Sequence, residues 1–197
     1  MTPQAASILE LFRSRGAYLQ GHFRLTSGLH SSEYLQSALV LQYPDSAEEL
    51  GRRLAGELRR LGVEMVSAVV SPALGGLIIG HEVARALNAR FLFTERDPAS
   101  SQMTLRRGFQ LSAGETAVVV EDVITTGGST RDVIDVLRAR GVRVLAAGSL
   151  IDRSGGAADV GVPRVALATL AVSTHEPARC PMCAQGIPIL KPGSRPT

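Results

Sequence analysis

Residues 118–130, Val118-Val119-Val120-Glu121-Asp122-Val123-Ile124-Thr125-Thr126-Gly127-Gly128-Ser129-Thr130, run from an apolar stretch through two adjacent carboxylates into a segment of hydroxyls and glycines. Ala117 to Val120 have the length and β-branched content of a buried strand. Arg131 to Arg140 repeat apolar residues at helical spacing and stop at Gly141. The local order is strand, loop, helix. Further strand-like runs lie at Met65–Val70, Arg90–Thr94, Ala117–Glu121 and Val142–Ile151, with a helical segment at Leu77–Leu87 between two of them. This alternation specifies an α/β fold with a central parallel sheet flanked by helices.

The remainder is consistent with one domain. A helix is expected over Pro3–Arg15, closed by Gly16, followed by an irregular or strand-rich stretch from Tyr18 to Leu41. Ser46 and Glu49 have the spacing of a capping box ahead of an apolar stripe of Leu50, Leu54, Leu58 and Leu61. A chain of 197 residues with 45% hydrophobic content is sufficient for a single full core. Pro188–Thr197 reads as a frayed tail. The net charge is only +3, with basic and acidic residues interleaved, which argues against a nucleic-acid-binding face. No basic region precedes an apolar leader, and no apolar stretch reaches membrane-spanning length, so a cytoplasmic protein without membrane contact is expected.

At the start of a helix, successive backbone N–H groups from Thr126 to Thr130 form a concavity suited to a phosphate, and the Thr and Ser hydroxyls add donors. Glu121 and Asp122 are too close to that anion to be its ligands but can accept hydrogen bonds from sugar hydroxyls nearby. Phosphate at one end and hydroxyls at the other describe a ribose 5-phosphate. A P-loop would require a Lys before the Ser/Thr, and Gly127-Gly128-Ser129-Thr130 has none; no G-x-G-x-x-G follows a strand either. The plain alternative is a solvated strand end and an ordinary turn.

Three further segments bear on the chemistry. Ser71-Pro72-Ala73-Leu74-Gly75-Gly76 is a second small-residue loop between strand and helix, either an anion cradle for a diphosphate or a plain turn. Arg153, at the end of the strand that precedes Ser154-Gly155-Gly156, offers a planar bidentate grip on a carboxylate, or else pairs with Asp152 at the surface. Gly21 to Tyr34 combines aromatics with small polar residues, as a planar base or an ordinary hairpin would require. Lysine occurs once, at Lys191, so a cation needed elsewhere must be arginine.

Taken together, these segments resemble the orotate phosphoribosyltransferases of the type I phosphoribosyltransferase family over essentially the whole chain. The resemblance rests on Phe23, Leu25, Ser27 and Gly28 (F-x-L-x-S-G), on the run from Glu121 to Ser129, and on Asp152-Arg153. It implies the type I phosphoribosyltransferase fold as one domain over 1–197, with a core of about 62–168 and a small hood and tail from 1–41 and about 170–197. It also implies transfer of ribose 5-phosphate from phosphoribosyl diphosphate to orotate, with Mg2+ held through the substrate, and a homodimer. Glu121, Asp122, Val123, Ile124, Thr125, Thr126, Gly127, Gly128 and Ser129 would bind phosphoribosyl diphosphate, and Ser71, Pro72, Ala73, Leu74, Gly75 and Gly76 its diphosphate. Thr125, Arg153, Thr26, Ser27 and Gly28 would bind orotate.

The chain departs from the better-known members of that family, which usually have Lys where it has Thr26 and Gly75, and Lys and His within the mobile loop. Here that loop, Glu95 to Gly108, holds only Arg96, Arg106 and Arg107 as cations. A dissociating diphosphate needs positioned positive charge, so one of these three is expected to be catalytic. The rivals are the same fold acting on another base, such as a purine, and a regulator that senses phosphoribosyl diphosphate, for which the segment before Gly21 is too short to hold a DNA-binding domain. Cys180-Pro181-Met182-Cys183, with His175 five residues earlier, is an incomplete zinc site, an unmetallated turn or a redox pair. His22, His30 and His81 stand singly and read as satisfied histidines.

Overall fold

The computed structural model describes residues 2–25 and 27–191. Its elements in chain order are α1 (Pro3–Ser14), β1 (Tyr18–Arg24), β2 (His30–Leu35), α2 (Ala38–Leu41), α3 (Pro44–Arg60), β3 (Ala68–Pro72), α4 (Gly76–Leu87), β4 (Arg90–Arg96), β5 (Met103–Leu105), β6 (Thr116–Ile124), α5 (Gly128–Arg138), β7 (Arg143–Asp152), β8 (Arg164–Thr169), β9 (Thr174–His175) and α6 (Pro181–Ala184). The central sheet has the order β5-β4-β3-β6-β7-β8, parallel throughout except for the antiparallel edge strand β5. A separate antiparallel sheet, β1-β2-β9, joins the two ends of the chain. Among the described residues, no helix is long and apolar enough to cross a membrane.

The sheet is buried on both faces, which explains why its strands read as continuous apolar runs. Along β6, Val118 and Val120 belong to a cluster with Ile8, Leu9 and Phe12 of α1, Leu50, Leu54 and Leu58 of α3, and Ile79 and Val83 of α4. Ala117 and Val119 point the other way and pack with Val133, Ile134 and Leu137 of α5. This period-two alternation fixes which side of the sheet each residue beyond Val120 faces. α1 packs on the main sheet, so its buried face joins the larger cluster.

Several elements differ from the sequence expectation. The capping box does not form: α3 begins at Pro44, whose fixed φ suits a first helical position, and Ser46 is buried in the first turn with its amide donating to Asp45 Oδ1. Leu61 lies past the helix end and is 41% exposed, so the buried stripe stops at Leu58. Met65, 86% exposed, precedes β3. β6 runs on to Ile124 because β7 is long enough to pair with it up to Ile124–Asp152, and α5 begins at Gly128. The short edge strand β5 and the edge strand β8 had no strand assigned to them in the sequence reading.

Leu54 is fully buried, with its Cδ1 3.2 Å from where a Cβ on Gly148 of β7 would stand. Leu54→Ala should therefore leave a cavity between α3 and the sheet and cost about 2–5 kcal/mol in urea unfolding, whereas Leu61→Ala should fall within about 0.5 kcal/mol.

Candidate active site

The acidic pair lies within β6, so its two members point to opposite faces of the sheet. Glu121 faces α5: the Thr130 hydroxyl donates to its carboxylate, and Arg96 is the nearby cation. The Thr130 hydroxyl is thus spent on Glu121. Asp122 faces α4 and the loop between β3 and α4. A Cβ on Gly75 would stand 2.6 Å from Asp122 Oδ1, so this carboxylate packs against bare backbone and only glycine fits. Burial pushes the Glu121 carboxyl up to about 7, against a partial lowering by the Thr130 hydrogen bond. Burial also raises Asp122, partly offset by the Val123 amide.

Above Glu121, Thr125 and Thr126 are exposed and Gly127 turns the chain into α5 at φ +77°. A side chain at Gly127 would meet Val160 Cγ1 at 2.8 Å as well as an unfavourable left-handed backbone. No side chain caps α5, and its first internal hydrogen bond runs from Arg131 N to Gly127 O. The amides of Gly128, Ser129 and Thr130 are therefore free of helical partners and carry the positive end of the helix dipole. Ile124, by contrast, is core: it is 1% exposed, and its carbonyl accepts from the Arg153 amide at 2.8 Å.

The second loop narrows to Ala73, Leu74 and Gly75, with a cis peptide between Ala73 and Leu74. Ser71 and Pro72 are the buried end of β3, and Gly76 is the first residue of α4. Ser71 Oγ lies 2.1 Å from where a Gly80 Cβ would be, so that hydroxyl is turned under α4 instead of toward a ligand.

Arg153 is not paired with Asp152. Asp152 is 1% exposed and takes a 2.7 Å ion pair from Arg164, with hydrogen bonds from the Ser154 amide at 2.8 Å and hydroxyl at 2.6 Å. Burial alone would raise its carboxyl, but these donors hold it below the usual range. Among the described residues Arg153 forms no ion pair, and its buried Nε has no hydrogen-bond partner. Burial depresses the guanidinium, while the nearby Tyr34, Glu33 and Tyr18 act in the opposite sense. Tyr34, next to the last residue of β2, lies near both Arg153 and Asp122, and burial raises its hydroxyl. Its aromatic type within a polar strand was the only available signal of a site residue.

Phe23, 2% exposed, is packed against Tyr34 at 5.8 Å between ring centres and presents no free face for stacking. Ser27 and Gly28 lie in the β1–β2 turn, where the Gly28 amide donates to Leu25 O. Among the described residues neither hydrogen-bonds to the strand-end loops. Thr26 lies outside the described residues. Of the loop cations, Arg107 grips Glu95 with two 2.8 Å contacts and Arg96 bridges Asp132 at 2.8 Å and Ser101 O at 3.0 Å. Arg106 is exposed and forms no ion pair among the described residues.

Cys180 and Cys183 do not meet His175. Their sulfurs lie beside His22 and His30, and all four ligand atoms are within 4.8 Å of one another. The two histidines that looked solitary in sequence are brought together by pairing of β1 with β2, with Arg24 opposite His30. His175 instead pairs with His30 along the backbone, and His81 stacks on Phe91.

A parallel sheet with two small-residue loops and an acidic strand end at its carboxyl edge defines a phosphoribosyltransferase. The family model described as phosphoribosyl transferase domain matches residues 41–168. An orotate phosphoribosyltransferase from Pelotomaculum thermopropionicum is 54% identical over 188 residues, covering 95% of this chain and 96% of its own, and one from Heliobacterium modesticaldum is 52% identical over 95% and 97%. The crystal structure of orotate phosphoribosyltransferase from Aeropyrum pernix superposes with a TM-score of 0.68 at 31% identity, over 83% of this chain and 93% of that one. The chain belongs to the orotate phosphoribosyltransferases.

Because the folded Glu121 retains its proton between about pH 4.5 and 7 while the unfolded chain has lost it, stability falls through that window as pH rises, and the penalty is complete above about 7. Glu121→Gln removes the ionisation, so its gain in Tm over the wild type should be larger at about pH 8 than at about pH 5. An equal difference at both, by differential scanning fluorimetry, would show that Glu121 titrates normally.

Proposed function

We propose that this chain transfers ribose 5-phosphate from 5-phosphoribosyl 1-diphosphate to orotate, giving orotidine 5'-phosphate and diphosphate, a step of de novo pyrimidine (UMP) biosynthesis. The observation that carries the choice of base is Arg153. A half-buried guanidinium that has no carboxylate ion pair among the described residues is costly, and a ligand carboxylate relieves that cost with a charge-assisted, bidentate contact. Orotate brings such a group; adenine, hypoxanthine and uracil do not. In this reading Tyr34 and Thr125 flank the base, with Thr26, Ser27 and Gly28 in the hairpin turn above it.

The 5-phosphate is received by the amides from Thr126 to Ser129 and the diphosphate by the backbone of Leu74 and Gly75, the Ala73 amide being spent on Thr94 O at 2.8 Å. Asp122 and Glu121 accept the ribose hydroxyls from opposite faces of β6. Mg2+ fits this donor set, because hard carboxylate oxygens stand beside a bare glycine backbone, and the ion takes few protein ligands when a substrate diphosphate is present. When bound, it neutralises charge on the leaving diphosphate. The remaining neutralisation falls to the loop cations, since the ribosyl centre develops oxocarbenium character as the diphosphate departs. Arg106, without an ion-pair partner among the described residues, and Arg96, beside Glu121 although it also bridges Asp132, are the candidates, whereas Arg107 is held by two contacts to Glu95. A homodimer belongs to this reading and is supported by the exposed Leu74 and Ile78 in and beside the first turn of α4.

Arg153→Ala should raise the KM for orotate by roughly ten-fold or more, consistent with about 2–5 kcal/mol for a partly buried charge contact, and leave the KM for phosphoribosyl diphosphate nearly unchanged. Initial rates with magnesium, followed by loss of orotate absorbance, provide the measurement. Equal loss for both substrates, or faster turnover of a purine, would sink the reading.

Among the loop cations, Arg96→Ala or Arg106→Ala should lower kcat by about ten-fold or more while the KM for phosphoribosyl diphosphate stays within an order of magnitude, the signature of a contact made mainly in the transition state. Arg107→Ala should stay within about three-fold, because Glu95 grips its guanidinium through two contacts, whereas Arg96 already stands beside Glu121. A larger kcat loss at Arg107 than at both others would reverse the assignment.

A further inference from the structure

Outside the phosphoribosyl cleft, four side chains from distant parts of the chain converge at the base of the β1-β2-β9 sheet. His22 Nε2 lies 3.5 Å from Cys180 Sγ, 3.7 Å from Cys183 Sγ and 2.9 Å from His30 Nδ1, and His30 Nδ1 is 3.3 Å from Cys183 Sγ. An ion with Zn–S near 2.3 Å and Zn–N near 2.0–2.1 Å holds its tetrahedral ligand atoms about 3.3–3.8 Å apart. Three of the four sulfur–nitrogen separations match those edges, all four ligand atoms lie within 4.8 Å of one another, and the nitrogen pair needs to open only slightly.

Hydrogen bonding alone accounts poorly for this arrangement. His22 Nδ1 is 2.8 Å from the Ile187 carbonyl, an acceptor only, so that nitrogen carries a proton. In the neutral ring Nε2 is then a bare lone pair, and three potential donors crowd onto it. If the His30 ring donates to it at 2.9 Å, neither thiol keeps a nitrogen acceptor; if the two thiols donate to the two nitrogens instead, two lone pairs face each other at 2.9 Å between side chains that are only 2% and 6% exposed. The same Nδ1-to-carbonyl contact is how a metal-bound imidazole is ordinarily oriented from behind. Two thiolates, two neutral imidazoles and a divalent ion also sum to zero charge, so the centre needs no counter-ion although three of its four ligands are buried and only Cys183 is exposed.

We infer that His22, His30, Cys180 and Cys183 bind a structural zinc ion that fastens the β1–β2 hairpin to the C-terminal segment. The donor set of two sulfurs and two nitrogens selects zinc over the hard ions that suit Glu121 and Asp122. All four protein ligands close the tetrahedron and leave no open position for catalysis. Binding releases the two thiol protons and links residues 158 apart in sequence. The hairpin it holds already takes backbone bonds from the same segment, Arg24 N to Leu190 O at 2.8 Å and Leu190 N to His22 O at 2.7 Å. Tyr34 of that hairpin stands beside Arg153, so loss of the ion should loosen the base side of the cleft.

The test is elemental analysis of the untagged full-length protein, expressed with zinc supplied. We expect a single zinc per chain that survives dialysis against a chelator, and loss of that zinc with a lower Tm in Cys180→Ser/Cys183→Ser. Replacement by cobalt(II) should give the intense tetrahedral absorption and thiolate charge-transfer bands of a sulfur-ligated centre. Should the double variant fail to fold, titrating the wild type with an organomercurial must release zinc in step with modification of the two thiols. Zinc below about a tenth per chain after reconstitution, a cobalt spectrum without thiolate bands, or a Cys180–Cys183 disulfide in the native mass spectrum would overturn the site while leaving the orotate reading untouched.

Discussion

The site depends on how far β6 runs beyond its neighbour. Its ladder with β3 ends at Val70–Val119, whereas its ladder with β7 continues to Ile124–Asp152. On one side β6 is therefore supported almost to its tip, and on the other it stands clear and opens a crevice. That crevice lies between the strands where the connections diverge, with α4 crossing one face of the sheet and α5 the other, as expected for ligand sites in open α/β sheets. A shorter β7 would leave Glu121 and Asp122 in a loop, without the strand geometry that sends one carboxylate to each side.

The opposite orientation of adjacent acids is the central electrostatic device. Glu121, sheltered by α5 and bonded by Thr130, is pushed up to about 7. Asp122 is likewise raised by burial, but beside the bare backbone of Gly75. Two carboxylates so close in sequence would repel if both pointed into one pocket; separated by the sheet edge, they can serve one sugar from two directions. Their desolvation in the free protein is a stability cost retained at a functional site.

The N- and C-terminal segments make the other half of the site. The β1–β2 hairpin supplies Tyr34 near Arg153, and its own position is set by backbone bonds to Leu190 and by the cluster of His22, His30, Cys180 and Cys183. In the proposed reading, the base-side residues therefore depend on contacts between chain ends, and the phosphate-side residues on the sheet. These are separate foundations, so perturbing the hairpin is expected to affect the base more than the phosphoribosyl group.

The sequence alone determined what depends on short-range order. The strand-loop-helix units, the parallel sheet, the glycine and hydroxyl loop from Thr125 to Ser129 and the standing of Arg153 at a strand end were legible because period, β-branching and glycine placement act within a few residues. Tertiary structure decided what depends on neighbours in space. The ends of β6, the pairing of Asp152 with Arg164, which leaves Arg153 without an ion pair among the described residues, and the burial of Ser71 under α4 are set by adjacent strands and helices. So is the meeting of two single histidines with a Cys-x-x-Cys turn, since strand pairing brings together residues whose spacing in the chain carries no ligand pattern.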